Sequence, residues 1–178
     1  MQWLTLKGSP DRGDRIICAL RAEPSRRSGS AAETAELGRR LGEALAPGDV
    51  VTLSGPFGAG KTTLVQGIGQ GLGVAGTVNS PSFGLVNEYL PPDTGARLPF
   101  FHLDLYRVRD PLEVDDLDLG AYLARGGALA VEWPELALDL LPEDRLDLTL
   151  ELDGDGRRLD VVAGGPRGER LARAMAAG

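Results

Sequence analysis

The amino-acid sequence predicts an α/β fold of three layers, with helices on both faces of a mainly parallel sheet. Short apolar strand patterns alternate with helical patterns along the chain, which is typical of parallel strands joined by helices. Near the carboxyl end, two alternating strand patterns at 146–152 and 159–163 flank turn-forming Asp-Gly pairs and predict a hairpin. We therefore expect antiparallel hairpin strands at one edge of the sheet.

The amino-terminal segment is predicted to be an extension of the main domain, either an extra strand or a loosely attached tail. Residues 21–30 are polar and contain Pro, Ser and Gly, which predicts a flexible joint. We therefore divide the 178-residue chain into an amino-terminal extension, 1–29, and one main domain, 30–178. Cys18 is the only cysteine, which excludes an internal disulfide, and its apolar neighbours predict a buried side chain.

The first helix and strand of the main domain are marked by local patterns. A capping box at Ser30–Glu33 begins a helix, and the helix ends at the Pro-Gly pair 47–48. The β-branched run Val50–Leu53 then predicts a buried strand. A second helix is predicted over 64–72, although it contains three glycines. The apolar face of the first helix has leucines at every fourth position, namely Leu37, Leu41 and Leu45.

Two further strands and one helix are predicted before the hairpin. Apolar and polar residues alternate over 101–106, which predicts a half-buried strand. Residues 111–124 predict an acidic helix. The apolar run Ala128–Val131 predicts a buried strand that ends at Glu132.

Charge and composition limit the classes of partner. The net charge is −7, whereas proteins that bind nucleic acid directly normally carry a basic patch. We therefore expect neither DNA binding nor direct, tight binding of RNA. No apolar stretch approaches the length of a membrane span, and charged residues interrupt 1–15, where a signal peptide would lie. These observations predict a cytoplasmic protein without a membrane partner.

A glycine-rich loop between the first strand and the second helix carries the clearest chemistry. Gly55–Thr62 matches G-x-x-x-x-G-K-[ST], the P-loop motif, so we expect a P-loop NTPase-like fold that binds ATP and Mg²⁺. Glycines let backbone N–H groups point at phosphate oxygens, Lys61 adds a charge for the β- and γ-phosphates, and Thr62 offers a hydroxyl to Mg²⁺. Lys61 is one of only two lysines in an arginine-rich chain. The predicted nucleotide-binding residues of this segment are Gly55, Gly58, Ala59, Gly60, Lys61, Thr62 and Thr63.

Three later motifs narrow the family. They are Ser80–Val86 (SPSFGLV), His102–Arg107 (HLDLYR) and Val131–Glu135 (VEWPE), and they follow the P-loop in this order. As a set, they closely resemble the TsaE family, also called YjeE, the bacterial ATPase of tRNA threonylcarbamoyladenosine synthesis. The resemblance covers about residues 30–163.

The resemblance implies a function and partners. TsaE acts with the TsaB and TsaD proteins, after TsaC has made threonylcarbamoyl-adenylate. Together they install the threonylcarbamoyl group on adenosine 37 of tRNAs that read codons beginning with A. ATP hydrolysis supports repeated turnover, and tRNA is contacted indirectly through the complex, which is consistent with an acidic chain.

The resemblance also implies roles for residues beyond the loop. Glu132 ends a buried strand where a Walker-B-type carboxylate would help hold Mg²⁺ together with Thr62, although such a position also suits a solvated acid. Trp133 is implied to bind nucleotide; as a lone residue it would more often serve packing. Asp104 is the candidate that orients the attacking water. Ser82, where relatives usually carry threonine, resembles a γ-phosphate sensor, although a turn residue is the alternative.

Other residues keep more than one interpretation. His102, the only histidine, is favoured as a structural or supporting residue, and Arg107 either stabilises charge or pairs with acids such as Asp104. Asn79 is a weak candidate for the Ser82 loop. Ser30–Thr34 is implied to lie near the adenine. Pro56-Phe57 replaces the Asp-Leu common in the family, and Gly156-Arg157 resembles the family without a derived role.

Rival functions share the loop motif. A small-molecule kinase would usually add an arginine-rich lid, and no arginine cluster follows the P-loop. A GTPase would need N-K-x-D, which the chain lacks. A non-hydrolytic nucleotide switch that remodels its partners needs the same loop and metal ligands, so the sequence does not separate it from an ATPase.

Overall fold

The computed structural model describes residues 21–81 and 84–176, and the described chain forms one seven-stranded sheet flanked by helices. The strands are β1 (Arg21–Ser28), β2 (Val50–Ser54), β3 (Val86–Tyr89), β4 (Phe100–Asp104), β5 (Ala128–Glu132), β6 (Leu146–Asp153) and β7 (Gly156–Ala163). The helices are α1 (Ala31–Ala44), α2 (Lys61–Leu72), α3 (Pro91–Thr94), α4 (Pro111–Asp115), α5 (Leu119–Ala124) and α6 (Pro166–Ala176).

The sheet is parallel in its centre and antiparallel at both edges. Its strand order is β1-β7-β6-β2-β5-β4-β3. The pairs β6–β2, β2–β5 and β5–β4 are parallel, whereas β3 pairs antiparallel with β4, and the hairpin β6–β7 and β1 complete the other edge antiparallel. The predicted fold class is therefore confirmed. The sequence anticipated one antiparallel edge, and the second edge is formed by β3.

Two apolar cores lie on opposite faces of the sheet, which makes the three layers. One core joins the sheet to α1, α2 and α6, with Leu41, Ile68 and Leu171 fully buried. The other core joins the sheet to α4 and α5 through Val114 and Leu119. In the parts of the chain that are described, no helix combines the length and apolar composition that a membrane span requires.

Two of the predicted segments differ in the structure. Residues 21–30 were expected to form a flexible joint, and this is wrong for 21–28, which form β1 and pair with β7. The pairing register shifts between residues 23 and 26, around Pro24, and an edge strand tolerates proline because one side of its ladder is open. The division at residue 29 stays a prediction, because residues 1–20, including Cys18, lie outside the described residues.

The predicted acidic helix over 111–124 is wrong as a single element. It is two short helices, because Asp118 adopts a left-handed conformation with φ 43° between them. Its side chain accepts a hydrogen bond from the backbone N–H of Ala121 at 3.2 Å and caps α5. The local capping interaction therefore ends one helix and begins the next.

Helices α1 and α2 pack with their backbones in close approach, and this contact fixes the helix that follows the phosphate loop. A Cβ atom added at Gly38 would lie 2.0 Å from the carbonyl oxygen of Leu64, and one added at Gly67 would lie 2.0 Å from that of Ala35. Neighbouring backbone atoms cannot move aside as side chains do. Only glycine therefore fits at these positions.

We expect Gly38→Ala to lower the free energy of unfolding by about 1 to 3 kcal/mol, because the new methyl group overpacks the α1–α2 contact. Gly120→Ala in α5 is the matched control, since its Cβ would find the nearest heavy atom at 3.6 Å. That variant should gain up to about 1 kcal/mol from helix propensity. Urea denaturation measures both changes; equal effects of the two substitutions would contradict the packing argument.

Candidate active site

The candidate active site lies where the central parallel strands end. The glycine-rich loop follows β2, Asp104 ends β4 and Glu132 ends β5, and these last two residues are partners in the β4–β5 register. Parallel strands bring their carboxyl ends to one edge of a sheet, where ligands bind in such folds. A cavity of about 290 Å³ opens there and is lined by Phe57, Gly58, Gly60, Lys61, Thr62, Thr63, Ser80, Asp104, Glu132 and Trp133.

The loop between β2 and α2 has a backbone that requires glycine. Gly55 has φ 129°, and a Cβ atom there would lie 2.1 Å from the carbonyl oxygen of Leu150. Gly60 has φ 98° and directly precedes α2. The first N–H groups of a helix have no partner within it and carry the positive end of its dipole. The loop is thus shaped to receive an anion such as phosphate.

Lys61 is a buried cation inside this loop, with only 5% of its surface exposed. Its Nζ donates to the carbonyl oxygens of Gly55 at 2.7 Å and Pro56 at 3.0 Å. Burial lowers the pKa of Lys61, and the negative charges of Glu132, Asp104 and Glu135 oppose that shift. Both hydrogen-bond acceptors are neutral, so an anionic phosphate would be a stronger partner for the ammonium group.

Three oxygen-bearing side chains meet beside the loop. The Thr62 hydroxyl lies 3.1 Å from Oε1 and 3.3 Å from Oε2 of Glu132, and 3.1 Å from the hydroxyl of Ser80. Hard oxygen donors of this kind suit Mg²⁺. Among residues 21–81 and 84–176, no three His, Cys, Asp or Glu side chains cluster to hold a metal. The donor set fits a Mg²⁺ ion that takes its remaining ligands from phosphate and water.

The Glu132 carboxylate is also hydrogen-bonded to His102. The imidazole is fully buried, with Nε2 3.0 Å from Oε1 of Glu132 and Nδ1 3.1 Å from the carbonyl oxygen of Asn79. Because Asn79 precedes Ser80, whose hydroxyl contacts that of Thr62, these contacts form a closed ring. We call this set, Thr62, Ser80, Asn79, His102 and Glu132, the hydrogen-bonded circuit.

Asp104 faces the same cavity from the neighbouring strand. Its Oδ1 accepts a hydrogen bond from the backbone N–H of Tyr106 at 3.2 Å, which orients the carboxylate at the end of β4. Arg107 donates to the carbonyl oxygen of Pro81 at 3.2 Å. The position of Asp104 beside Glu132 and Lys61 allows it to act on a group bound in the cavity.

Phe57 and Trp133 form an aromatic wall of the cavity, and the ring of Tyr106 packs against both of them. Phe57, Tyr106 and Trp133 have ring centroids 4.4 to 5.3 Å apart, and the Nζ of Lys61 lies 4.0 Å from the Trp133 centroid. Trp133 adopts a left-handed conformation with φ 56°, which is uncommon for a bulky residue. Trp133 therefore both packs against its neighbours and lines the cavity. Phe57, one of the residues that depart from the family pattern, belongs to this wall.

A second, smaller cavity of about 100 Å³ lies on the other side of the loop. Ser30, Ala31 and Thr34 line it together with Thr63 and the hairpin residue Arg157. The Arg157 guanidinium donates to the carbonyl oxygens of Gly58 at 3.1 Å and Gly156 at 2.8 Å. The hairpin is thereby attached to the phosphate loop, a contact that the sequence marked only as a family feature at 156–157.

The structure brings most of the predicted site residues together. Lys61, Thr62, Asp104, Glu132 and Trp133 line one cavity with loop residues 58, 60 and 63, while Gly55 and the buried Ala59 shape the loop. Ser82 lies outside the described residues, so its role stays a prediction. Sequence reasoning gave no role to Ser80 or Arg157. Their only signal was their place in two segments that resemble the family, Ser80–Val86 and Gly156-Arg157.

Comparisons with known proteins identify relatives. The family model "Threonylcarbamoyl adenosine biosynthesis protein TsaE" matches residues 28–159. A Bacillus subtilis protein described as tRNA threonylcarbamoyladenosine biosynthesis protein TsaE is 41% identical over 130 residues, which are 72% of this chain and 78% of the relative. A Streptomyces coelicolor protein of the same description is 47% identical over 117 residues, 65% of this chain and 77% of the relative.

A solved structure extends the likeness to the fold. The crystal structure of YdiB from Bacillus subtilis superposes with a TM-score of 0.70 and is 30% identical in sequence. The match covers 88% of this chain and 96% of that protein. The similarity therefore includes both the core of the sheet and most of the elements around it.

Proposed function

The chain belongs to the TsaE family of tRNA threonylcarbamoyladenosine biosynthesis proteins, and on that basis we propose that it is a Mg²⁺-dependent ATPase of this pathway. The observation that carries the proposal is the meeting of the glycine-rich loop, Thr62, Asp104 and Glu132 around one cavity. Loop and helix N-terminus suit the phosphates, and the acidic residues suit a metal and a water.

Nucleotide binding is assigned to the loop and its lysine. The backbone N–H groups at the start of α2 would hold the β-phosphate, and Lys61 would move from the carbonyl groups of Gly55 and Pro56 to the phosphate oxygens. Trp133 would cover the lysine and exclude water from it. The Ser30–Thr34 side of the loop would receive the nucleoside.

The metal is assigned to Thr62 and Glu132. When bound, Mg²⁺ neutralises charge on the β- and γ-phosphates of ATP. Asp104 would accept a hydrogen bond from the attacking water and orient it toward the γ-phosphate, since its carboxylate lines the same cavity beside Lys61. Ser82 would sense the γ-phosphate through its hydroxyl.

The partners are assigned by family membership and charge. We propose that the protein acts in the cytoplasm with TsaB and TsaD, and that these proteins carry the tRNA. The net charge of −7 supports indirect rather than direct contact with RNA.

The test is formation of threonylcarbamoyladenosine on tRNA by TsaB, TsaC and TsaD under multiple-turnover conditions. ATP is present in every arm, because TsaC consumes it to make the adenylate, and we expect product beyond one equivalent of TsaD only when this protein is present with Lys61 intact. A single-turnover assay without the protein is the control and should be unaffected. If ATP binds but repeated turnover is unchanged, the pathway role is wrong, and the small-molecule kinase becomes the better hypothesis.

A further inference from the structure

Within the hydrogen-bonded circuit, His102 contacts both the proposed metal ligand Glu132 and the segment leading to Ser82, and unlike Thr62 it does not line the cavity. We propose that His102 is a positioning residue: it holds the Glu132 carboxylate for the cation and transmits the state of that carboxylate to residues 79–81. The inference rests on the proposed Mg·ATP site and adds a residue to it. His102 itself contacts neither nucleotide nor metal in this proposal.

The first step is the restraint on Glu132. Oε1 of Glu132 lies 3.0 Å from Nε2 of His102 and 3.1 Å from the Thr62 hydroxyl, so one oxygen is fixed by two contacts. Glu132 is 2% exposed and His102 is fully buried, so water does not compete for the hydrogen bond between these two side chains. A carboxylate held in this way keeps one orientation toward the cavity.

The second step is the connection to the backbone of Asn79. A carbonyl oxygen and a carboxylate oxygen both only accept, so both ring nitrogens of His102 donate, Nδ1 to Asn79 at 3.1 Å and Nε2 to Glu132 at 3.0 Å. The carbonyl also accepts from Nδ2 of Asn87 at 2.9 Å, but that contact is exposed. The histidine contact is part-buried and comes from a fully buried imidazole, so it is the stronger restraint on the segment.

The third step is the return of the circuit to the metal position. Ser80 follows Asn79, and its hydroxyl lies 3.1 Å from that of Thr62. A cation that engages Thr62 and Glu132 must compete with the contacts these groups make in its absence. The resulting displacement of the Thr62 and Glu132 side chains is passed on through Ser80 and through His102 to the same short segment, which continues into Ser82. The segment can thus respond to the cation before any γ-phosphate contact.

Two substitutions at His102 each remove one of its two contacts and keep the other. In His102→Asn, the side-chain amide takes the place of Nδ1 and can still donate to Asn79, but the contact with Glu132 is lost. In His102→Gln, the amide reaches the place of Nε2 and keeps Glu132, but the contact with Asn79 is lost. Asn87→Ala is the control, because it removes the exposed donor to the same carbonyl oxygen.

The first readout is the Mg²⁺ concentration needed for half-maximal binding of a fluorescent ATP analogue. We expect His102→Asn to raise it about 10-fold, the lower end of the effect of removing a group that orients a metal ligand. His102→Gln and Asn87→Ala should stay close to the wild-type value. Equal shifts in both histidine variants would overturn the proposal, since they would indicate general loss of packing.

The second readout is hydrogen exchange across residues 77–81 in the ADP complex, with and without Mg²⁺. We expect Mg²⁺ to change this exchange in the wild type and in Asn87→Ala, and to change it less in both histidine variants, which keep only the route through Ser80. A wild-type protein whose exchange ignores Mg²⁺ overturns the proposal, even if the variants fail to fold. If the wild type binds no nucleotide at all, the proposed function fails; if it binds nucleotide and exchange is unaffected, only this inference fails.

Discussion

Replacing Lys61 by methionine is expected to weaken ATP binding at least about 100-fold, while the nucleotide-free protein loses no stability. Removing one partner of a buried charge interaction costs about 2 to 5 kcal/mol of binding free energy, and about 2.7 kcal/mol corresponds to 100-fold. In the free protein, Lys61 is 5% exposed, and its Nζ donates to the carbonyl oxygens of Gly55 and Pro56. An apolar side chain of similar length avoids burying that charge.

Thermal unfolding with and without Mg·ATP measures both effects. At a ligand concentration 100 times Kd, the wild type should gain about 2.7 kcal/mol of stability, and Lys61→Met should gain almost none. Lys61→Arg is the matched control for charge, and it should recover little, because a flat guanidinium does not replace a compact ammonium group. If Mg·ATP stabilised Lys61→Met as much as the wild type, the assignment of the loop as the phosphate-binding site would be wrong.

The pH dependence of the same variant follows from the lysine. In the folded state, burial lowers the pKa of Lys61 below its ordinary value of 10.5. Between the lowered pKa and 10.5, the folded protein therefore binds fewer protons than the unfolded chain. The stability of the wild type relative to Lys61→Met should therefore rise with pH through that window and level off above it. If this stability difference fell with pH between the lowered pKa and 10.5, burial would not be the cause that governs the pKa of Lys61.

Replacing Asp104 by asparagine is expected to lower ATP hydrolysis at least about 100-fold while ATP affinity changes little. General base and water-positioning groups contribute about 10² to 10⁴ to the rate. Asparagine keeps the size of the side chain and an oxygen that can accept from the N–H of Tyr106. The fold of the strand end should therefore survive, and only the negative charge in the cavity is lost.

Partner-stimulated ATP hydrolysis and nucleotide binding, measured side by side, check this result. Glu135→Gln is the matched control, because Glu135 also acts electrostatically on Lys61 but does not line the cavity. It should retain hydrolysis. If Asp104→Asn still supports repeated tRNA modification without hydrolysis, the protein is a nucleotide switch. If it hydrolyses ATP at the wild-type rate, Asp104 has no catalytic role.

The centre of the fold could be predicted from sequence because its information is local. The run Val50–Leu53, the glycine-rich loop and the helix after it are neighbours in the chain, and each has a recognisable pattern. Strand β1 is polar and contains Pro24, and its hydrogen bonds are made to β7, far along the chain. Helix α6 depends on the fully buried Asp49, which pairs with Arg167 and Arg170 of that helix. Such distant pairs leave no local pattern.

The site shows the same division. Residues with motif positions, such as Lys61, Thr62 and Glu132, lie together in one cavity because motif and strand end coincide. The hydrogen-bonded circuit was not foreseen, since the histidine contacts a carboxylate on β5 and a backbone carbonyl group before Ser80 at once. Only the sheet register brings those atoms within reach.

The close approach of α1 and α2 has a consequence for how the protein folds. Helix α2 contains Gly67, Gly69 and Gly71, each of which costs about 1 kcal/mol of helical stability relative to alanine. The segment after the phosphate loop thus has little tendency to become helical alone, and the α1 backbone supplies the missing stabilisation. During synthesis, α1 leaves the ribosome before α2, and the contact between them forms only when α2 has followed. If the loop binds nucleotide as proposed, binding would therefore begin only after these two helices have docked.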